Sequence, residues 1–115
     1  MQRVHHCGLA GHPSHEPASC QQRRYGGVLV FEVAGGCEAA WQCIDTTALM
    51  PLTGHPGDVN TTIVHPAKTA HGRLSEQQRK EAGINQSQIR IALGFGDTDG
   101  PQADCDRRLA AAHRA

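Results

Sequence analysis

From Ile89 to Phe95 apolar side chains take every second position, with Ile89, Ile91, Leu93 and Phe95 alternating with Arg90, Ala92 and Gly94. A period of two sends alternate side chains to opposite faces of a strand. This segment must therefore press one apolar face on a core and turn a mixed face, carrying a cation and two small residues, elsewhere. A second strand is as clear. The run Val-Leu-Val-Phe-Glu-Val from Val28 to Val33 is rich in β-branched and apolar residues and stands between Gly26-Gly27 and Gly35-Gly36.

Helical periods lie between and after these strands. Cys37, Ala40, Trp41, Ile44 and Ala48 recur at i, i+3, i+4, i+7 and i+11, with Glu38, Gln42 and Asp45 on the other side. Ser75 followed by Gln78 is a capping box opening a polar, exposed helix that stops at Gly83. Pro101 suits the first turn of a last helix, whose narrow apolar stripe is Cys105, Leu109 and Ala112. Residues 49 to 65 alternate apolar pieces with turn signals and read as two short strands joined by a loop. Residues 1–27 read as an irregular arm with one broken helix near Glu16. Pro17 is the more damaging of the two helix prolines, since an interior proline costs about 3 kcal/mol.

The short links from Leu49 to Val64 favour antiparallel neighbours, so the expected fold is α+β, a small antiparallel-containing sheet with helices packed on one face. The expected division is a linker arm over 1–27 and a subdomain over 28–115. A chain of 115 residues suits one modest core, and 38% apolar residues with 13 glycines excludes global disorder.

Eleven basic residues balance eleven acidic ones and only four residues are aromatic, which argues against a nucleic-acid partner. No apolar run reaches the roughly 18 residues a membrane helix needs, and the His-rich start lacks the apolar core of a signal peptide. The cytoplasm is the expected compartment. Cys7, Cys20, Cys37, Cys43 and Cys105 form an odd set without a C-x-x-C pair, so they read as reduced thiols. His5, His6, Cys7, His12, His15 and Cys20 are of metal-binding type, but their spacings match no zinc pattern, and no metal is expected.

Several stretches taken in order carry a resemblance. They are Gly-Gly-Val-Leu-Val-Phe-Glu-Val at 26–33, Gly57-Asp58, His65-Pro66-Ala67, His71-Gly72-Arg73-Leu74-Ser75, Ala82-Gly83-Ile84 and Ile89-Arg90-Ile91-Ala92-Leu93-Gly94. Together they resemble the C-terminal domain of the transsulfuration enzymes of cysteine and methionine metabolism, a family that uses pyridoxal phosphate on a type I fold. The His-Gly-Arg-Leu-Ser stretch and Ile-Asp-Thr at 44–46 look most like the O-succinylhomoserine sulfhydrylase branch. His12-Pro13 and His15-Glu16 resemble the family's linking segment, and the resemblance runs from Arg3-Val4 to about Ala112.

The resemblance implies that Arg90 binds the α-carboxylate of an amino-acid substrate, a task for which the planar guanidinium fork supplies two parallel bonds. It places His55 where relatives carry Ser or Asn helping to hold that carboxylate, with Pro56 in place of a leucine. It places Ala70 where relatives carry a hydroxyl residue, and Thr69 stands beside it. Lys68 and Lys80 are the only lysines. Neither has the surroundings of a Schiff-base lysine, which in the family belongs to a preceding large domain, so covalent attachment of pyridoxal phosphate to this chain alone is not expected, nor is a catalytic residue. The expected reaction of the parent enzyme is γ-replacement, giving homocysteine. The expected partner is a large cofactor-binding domain or a full-length homologue, and the chain alone is expected to be inactive; the alternative is a non-catalytic interaction module or gene remnant that pairs with a separate large pyridoxal-phosphate domain.

Overall fold

A computed structural model describes residues 2–46, 60–69, 71–94 and 99–114, the last four of these by backbone only. In chain order the elements are β1 (Arg3–His5), α1 (His15–Gln21), β2 (Val28–Glu32), α2 (Gly36–Asp45), β3 (Thr62–Val64), α3 (Glu76–Glu81), β4 (Gln88–Ala92) and α4 (Asp99–Arg114). The strands form one sheet in the order β1-β2-β4-β3, with antiparallel neighbours throughout. This is the expected α+β arrangement.

The register explains the layers. Phe31 pairs with Ile89, Leu29 with Ile91, and Ile63 with Ile91. Directly paired residues share a face, so these five side chains form one apolar surface. Ala39, Ala40, Cys43 and Ile44 of α2 pack on it, and Cys105 and Leu109 of α4 lie against the same cluster. Ile89 is fully buried and Phe31 is 3% exposed. Each such side chain contributes about 1.5–3 kcal/mol by leaving water.

The passage from β2 to α2 depends on glycine. Gly35 and Gly36 have φ of 102° and 70°, a conformation that other residues adopt at a cost. A Cβ on Gly35 would also stand 2.8 Å from the Ala39 methyl. Helix α3 has the expected capping box: Ser75 Oγ accepts from the Gln78 amide at 3.2 Å and Gln78 Oε1 accepts from the Ser75 amide at 2.9 Å. The chain then turns at Gly83, φ 76°.

Three local expectations change. The arm over 1–27 carries a strand in addition to the helix expected near Glu16. Strand β1 is three residues long and has no apolar period of its own; it forms because it pairs along β2, with Val4 opposite Phe31. Pro17 does not break α1, since it is the third residue of a helix that begins at His15 and its missing N–H lies among the unpaired first-turn donors. Leu93 is 39% exposed although the alternation aims it inward. It follows the last residue of β4. Of the two strands expected between 49 and 65, Thr62–Val64 is present; residues 49–52, like Ala48 and Phe95, lie outside the described set, and so does the side chain of Ala112.

Candidate functional site

Arg90 sits in the middle of β4, opposite Val30 on one side and Val64 on the other. His5 pairs with Val30 from the far strand. These four residues therefore form one row across the face turned away from α2 and α4. Arg90 is half-buried, and Ala92, two residues on, is 5% exposed. Beyond it the Gly94 amide donates to Thr61 Oγ1 at 3.1 Å, which ties the end of β4 to the residue before β3.

The neighbouring row is polar and closed on itself. His5 Nε2 lies 2.9 Å from Glu32 Oε1, and Gln88 Nε2 donates to Gly83 O at 3.0 Å and to Glu32 Oε1 at 3.4 Å. The hydrogen bond from His5 holds the Glu32 carboxyl below its ordinary range, against a smaller opposing effect of burial and with further help from Gln88 and Asn85.

After β3 the chain enters a tight turn organised by His65, which is fully buried. Its Nε2–H donates to Gln86 O at 2.9 Å and its Nδ1 accepts from the Lys68 amide at 3.2 Å. The indole of Trp41 stacks on the ring, centroids 5.0 Å apart and planes 14° apart. Thr69 is exposed, and its hydroxyl donates to His65 O at 2.7 Å. A hydroxyl has one proton, so Thr69 donates to a carboxylate only by giving up this bond. His55 and Ala70 lie outside the described residues.

The alternation of β4 pointed to Arg90; the role of His65 was not legible in any period, because it depends on Trp41 in α2 and Gln86 in a distant turn. The histidines of the first segment have local partners. His6 Nε2–H donates to Gly26 O, His15 Nδ1–H donates to Cys7 O at 2.8 Å, and the His15 ring stacks on Tyr25. Among the described residues no group of three or more His, Cys, Asp or Glu side chains is placed to hold a metal ion.

Residues 1–110 match the profile of the family described as Cys/Met metabolism PLP-dependent enzyme. The chain belongs to this family. It is 50% identical to O-succinylhomoserine sulfhydrylase of Pseudomonas aeruginosa over 96% of its own length and 28% of that protein. It is 33% identical to an L-methionine gamma-lyase of Fusobacterium nucleatum over 95% of its length, again 28% of the relative. Among solved structures it superposes on cystathionine gamma synthase from Xanthomonas oryzae pv. oryzae, in complex with cystathionine, with a TM-score of 0.92 and 30% identity, covering 98% of this chain and 29% of that one. The chain thus spans little more than a quarter of the relatives it matches.

The family depends on pyridoxal phosphate, and the residues here do not fit the covalent lysine link to that cofactor. Such an amine must be desolvated and fixed. Lys68 is exposed in the turn after β3, and Lys80 is exposed on α3, a helix with no buried residue. No helix of the described residues is long and apolar enough to cross a membrane.

Proposed function

We propose that this chain provides the substrate-carboxylate site of a PLP-dependent enzyme of the O-succinylhomoserine sulfhydrylase kind, with Arg90 as the anchor. The observation that carries the reading is the place of Arg90: mid-strand and half-buried in the row His5, Val30, Arg90, Val64, with a small residue two positions on. A guanidinium can present parallel N–H donors to a planar anion. Valines stand opposite it on both neighbouring strands. His55 and Thr69 are the proposed neighbours of the carboxylate. No catalytic residue is assigned to the chain; its contribution is to bind and orient.

The 50% identity to the Pseudomonas aeruginosa enzyme supports γ-replacement, in which succinate leaves O-succinylhomoserine and sulfide adds to give homocysteine. Residues 28–115 are the proposed substrate-binding subdomain and 1–27 the linking arm. The partner is a large PLP-binding domain, in the same polypeptide or in a separate one, and the chain without it is proposed to be inactive. Val28 and Leu93, 47% and 39% exposed at the same end of the sheet though on opposite faces by the strand register, favour contact with such a partner.

The test is assembly of the chain with the remainder of the Pseudomonas aeruginosa relative, followed by a sulfhydrylase assay. Arg90→Ala is expected to lower kcat/KM by about 100-fold or more, and Arg90→Lys to recover little of it because the fork is lost. An Arg90→Ala assembly as active as the parent would rule the anchor out.

A further inference from the structure

We propose that His65 is the positioning residue of the Arg90 site. The claim rests on the reading of Arg90 as carboxylate anchor and deepens it. His65 directly follows Val64, the strand partner of Arg90 on β3, and it is fully buried. Its ring joins three separate parts of the chain. Trp41 holds it from α2 by stacking, Gln86 O receives Nε2–H from the turn that leads into β4, and Nδ1 receives the Lys68 amide. The His65 carbonyl also accepts from the amides of Lys68 and Thr69 at 3.2 and 3.0 Å and from the Thr69 hydroxyl.

These contacts define one tautomer, with the proton on Nε2 and a lone pair on Nδ1. An apolar residue of similar volume would fill the space but leave the Gln86 carbonyl without its imidazole donor. A buried polar group that loses its partner is costly, so the turns would move to find another. Both flank the anchor: residues 65–69 continue β3 beside it, and Gln86 precedes β4 by two residues. The separation of those turns sets where Arg90 stands relative to the 65–69 turn, and a displacement of about 1 Å in such a site costs on the order of 100-fold in rate.

The test uses the purified chain and the same assembly with the remainder of the relative. In the chain, hydrogen exchange is followed at the amides of Lys68, Thr69, Ile89 and Ile91, and imidazole nitrogen shifts report the tautomer. His65→Ala is expected to speed exchange at Lys68 and Thr69 about tenfold or more while Ile89 and Ile91 change little. His65→Asn, which can offer an oxygen in place of Nδ1, should recover the Lys68 amide. His65→Gln, which can offer an N–H in place of Nε2, should recover the link to Gln86.

In the assembly, His65→Ala should raise KM for O-succinylhomoserine more than it lowers kcat, with partial rescue by His65→Gln. Uniform acceleration of all four amides, or none, overturns the positioning role and leaves His65 an ordinary core residue. An unchanged KM beside an Arg90→Ala variant that loses activity overturns it too. If Arg90→Ala has no effect, the anchor reading fails separately, and the proposal, which depends on that anchor, falls with it.

Discussion

Asp104 and Arg108, one turn apart on α4, form an ion pair that water scarcely reaches: Asp104 is fully buried and Arg108 is 2% exposed. Arg108 also donates through Nη1 to Cys43 O in the last turn of α2, at 3.4 Å, so a cation of one helix meets the negative end of the other. Removing one partner strands a buried charge. Asp104→Ala is expected to destabilise the fold by about 3–5 kcal/mol, whereas replacing the pair together by leucine and methionine should cost far less. Urea unfolding of the three proteins checks this.

The pair between His5 and Glu32 makes stability depend on pH. The folded-state pKa of Glu32 lies below its ordinary value of 4.5, so its contribution is fully present above that value and is lost as pH falls through the lowered one. Glu32→Gln should therefore be less stable than the parent at neutral pH, with the gap closing in acid below pH 4.5. Unfolding midpoints compared at neutral pH and in acid give the answer, and a gap that persists unchanged would rule the linkage out.

Burial pushes the Cys43 thiol up to about 11, and the Cys105 thiol is raised for the same first reason, with Asp104 adding to it. The thiolate is the reactive form. In native conditions iodoacetamide should label exposed Cys20 first and Cys43 last, by more than about tenfold in rate. Timed peptide mass spectrometry would show the order; early labelling of Cys43 would mean that the α2–α4 contact opens readily.

Gly35→Ala and Gly36→Ala separate two effects. Both residues have positive φ, but only a Cβ on Gly35 meets a neighbour, Ala39. The Gly36 variant should lose about 1–2 kcal/mol and the Gly35 variant measurably more. Equal losses in thermal unfolding would mean that the backbone term alone decides.

The legibility of this fold follows from the range of its interactions. The β-branched apolar run Val28–Val33, the alternation of Ile89–Ala92 and the capping box at Ser75 are local signals, and they hold because neighbours a few residues away impose them. Strand β1 carries none, since its conformation comes from β2. Of the expected apolar stripe Cys105, Leu109 and Ala112 of α4, the first two face the core, but the buried Asp104 and Arg108 beside them satisfy each other and so look from sequence like a solvated pair. In the candidate site, the alternation and the family resemblance together marked Arg90. His65 belongs to the His-Pro-Ala stretch of that resemblance, yet its partners Trp41 and Gln86 are brought to it only by the tertiary fold.

The order of the strands has a consequence for how the protein is made. β4 lies between β2 and β3, and 56 residues separate Glu32 from its partner Gln88. On the ribosome, Val28–Glu32 thus emerges long before the strand that will cover its inner edge. Non-local pairing of this kind is slow, and it leaves an apolar strand open to other chains in the interval. Crowded synthesis is therefore the moment of greatest risk for this polypeptide, and a chaperone that shields β2 until β4 arrives should raise the yield of folded product more than any change that merely strengthens the finished core.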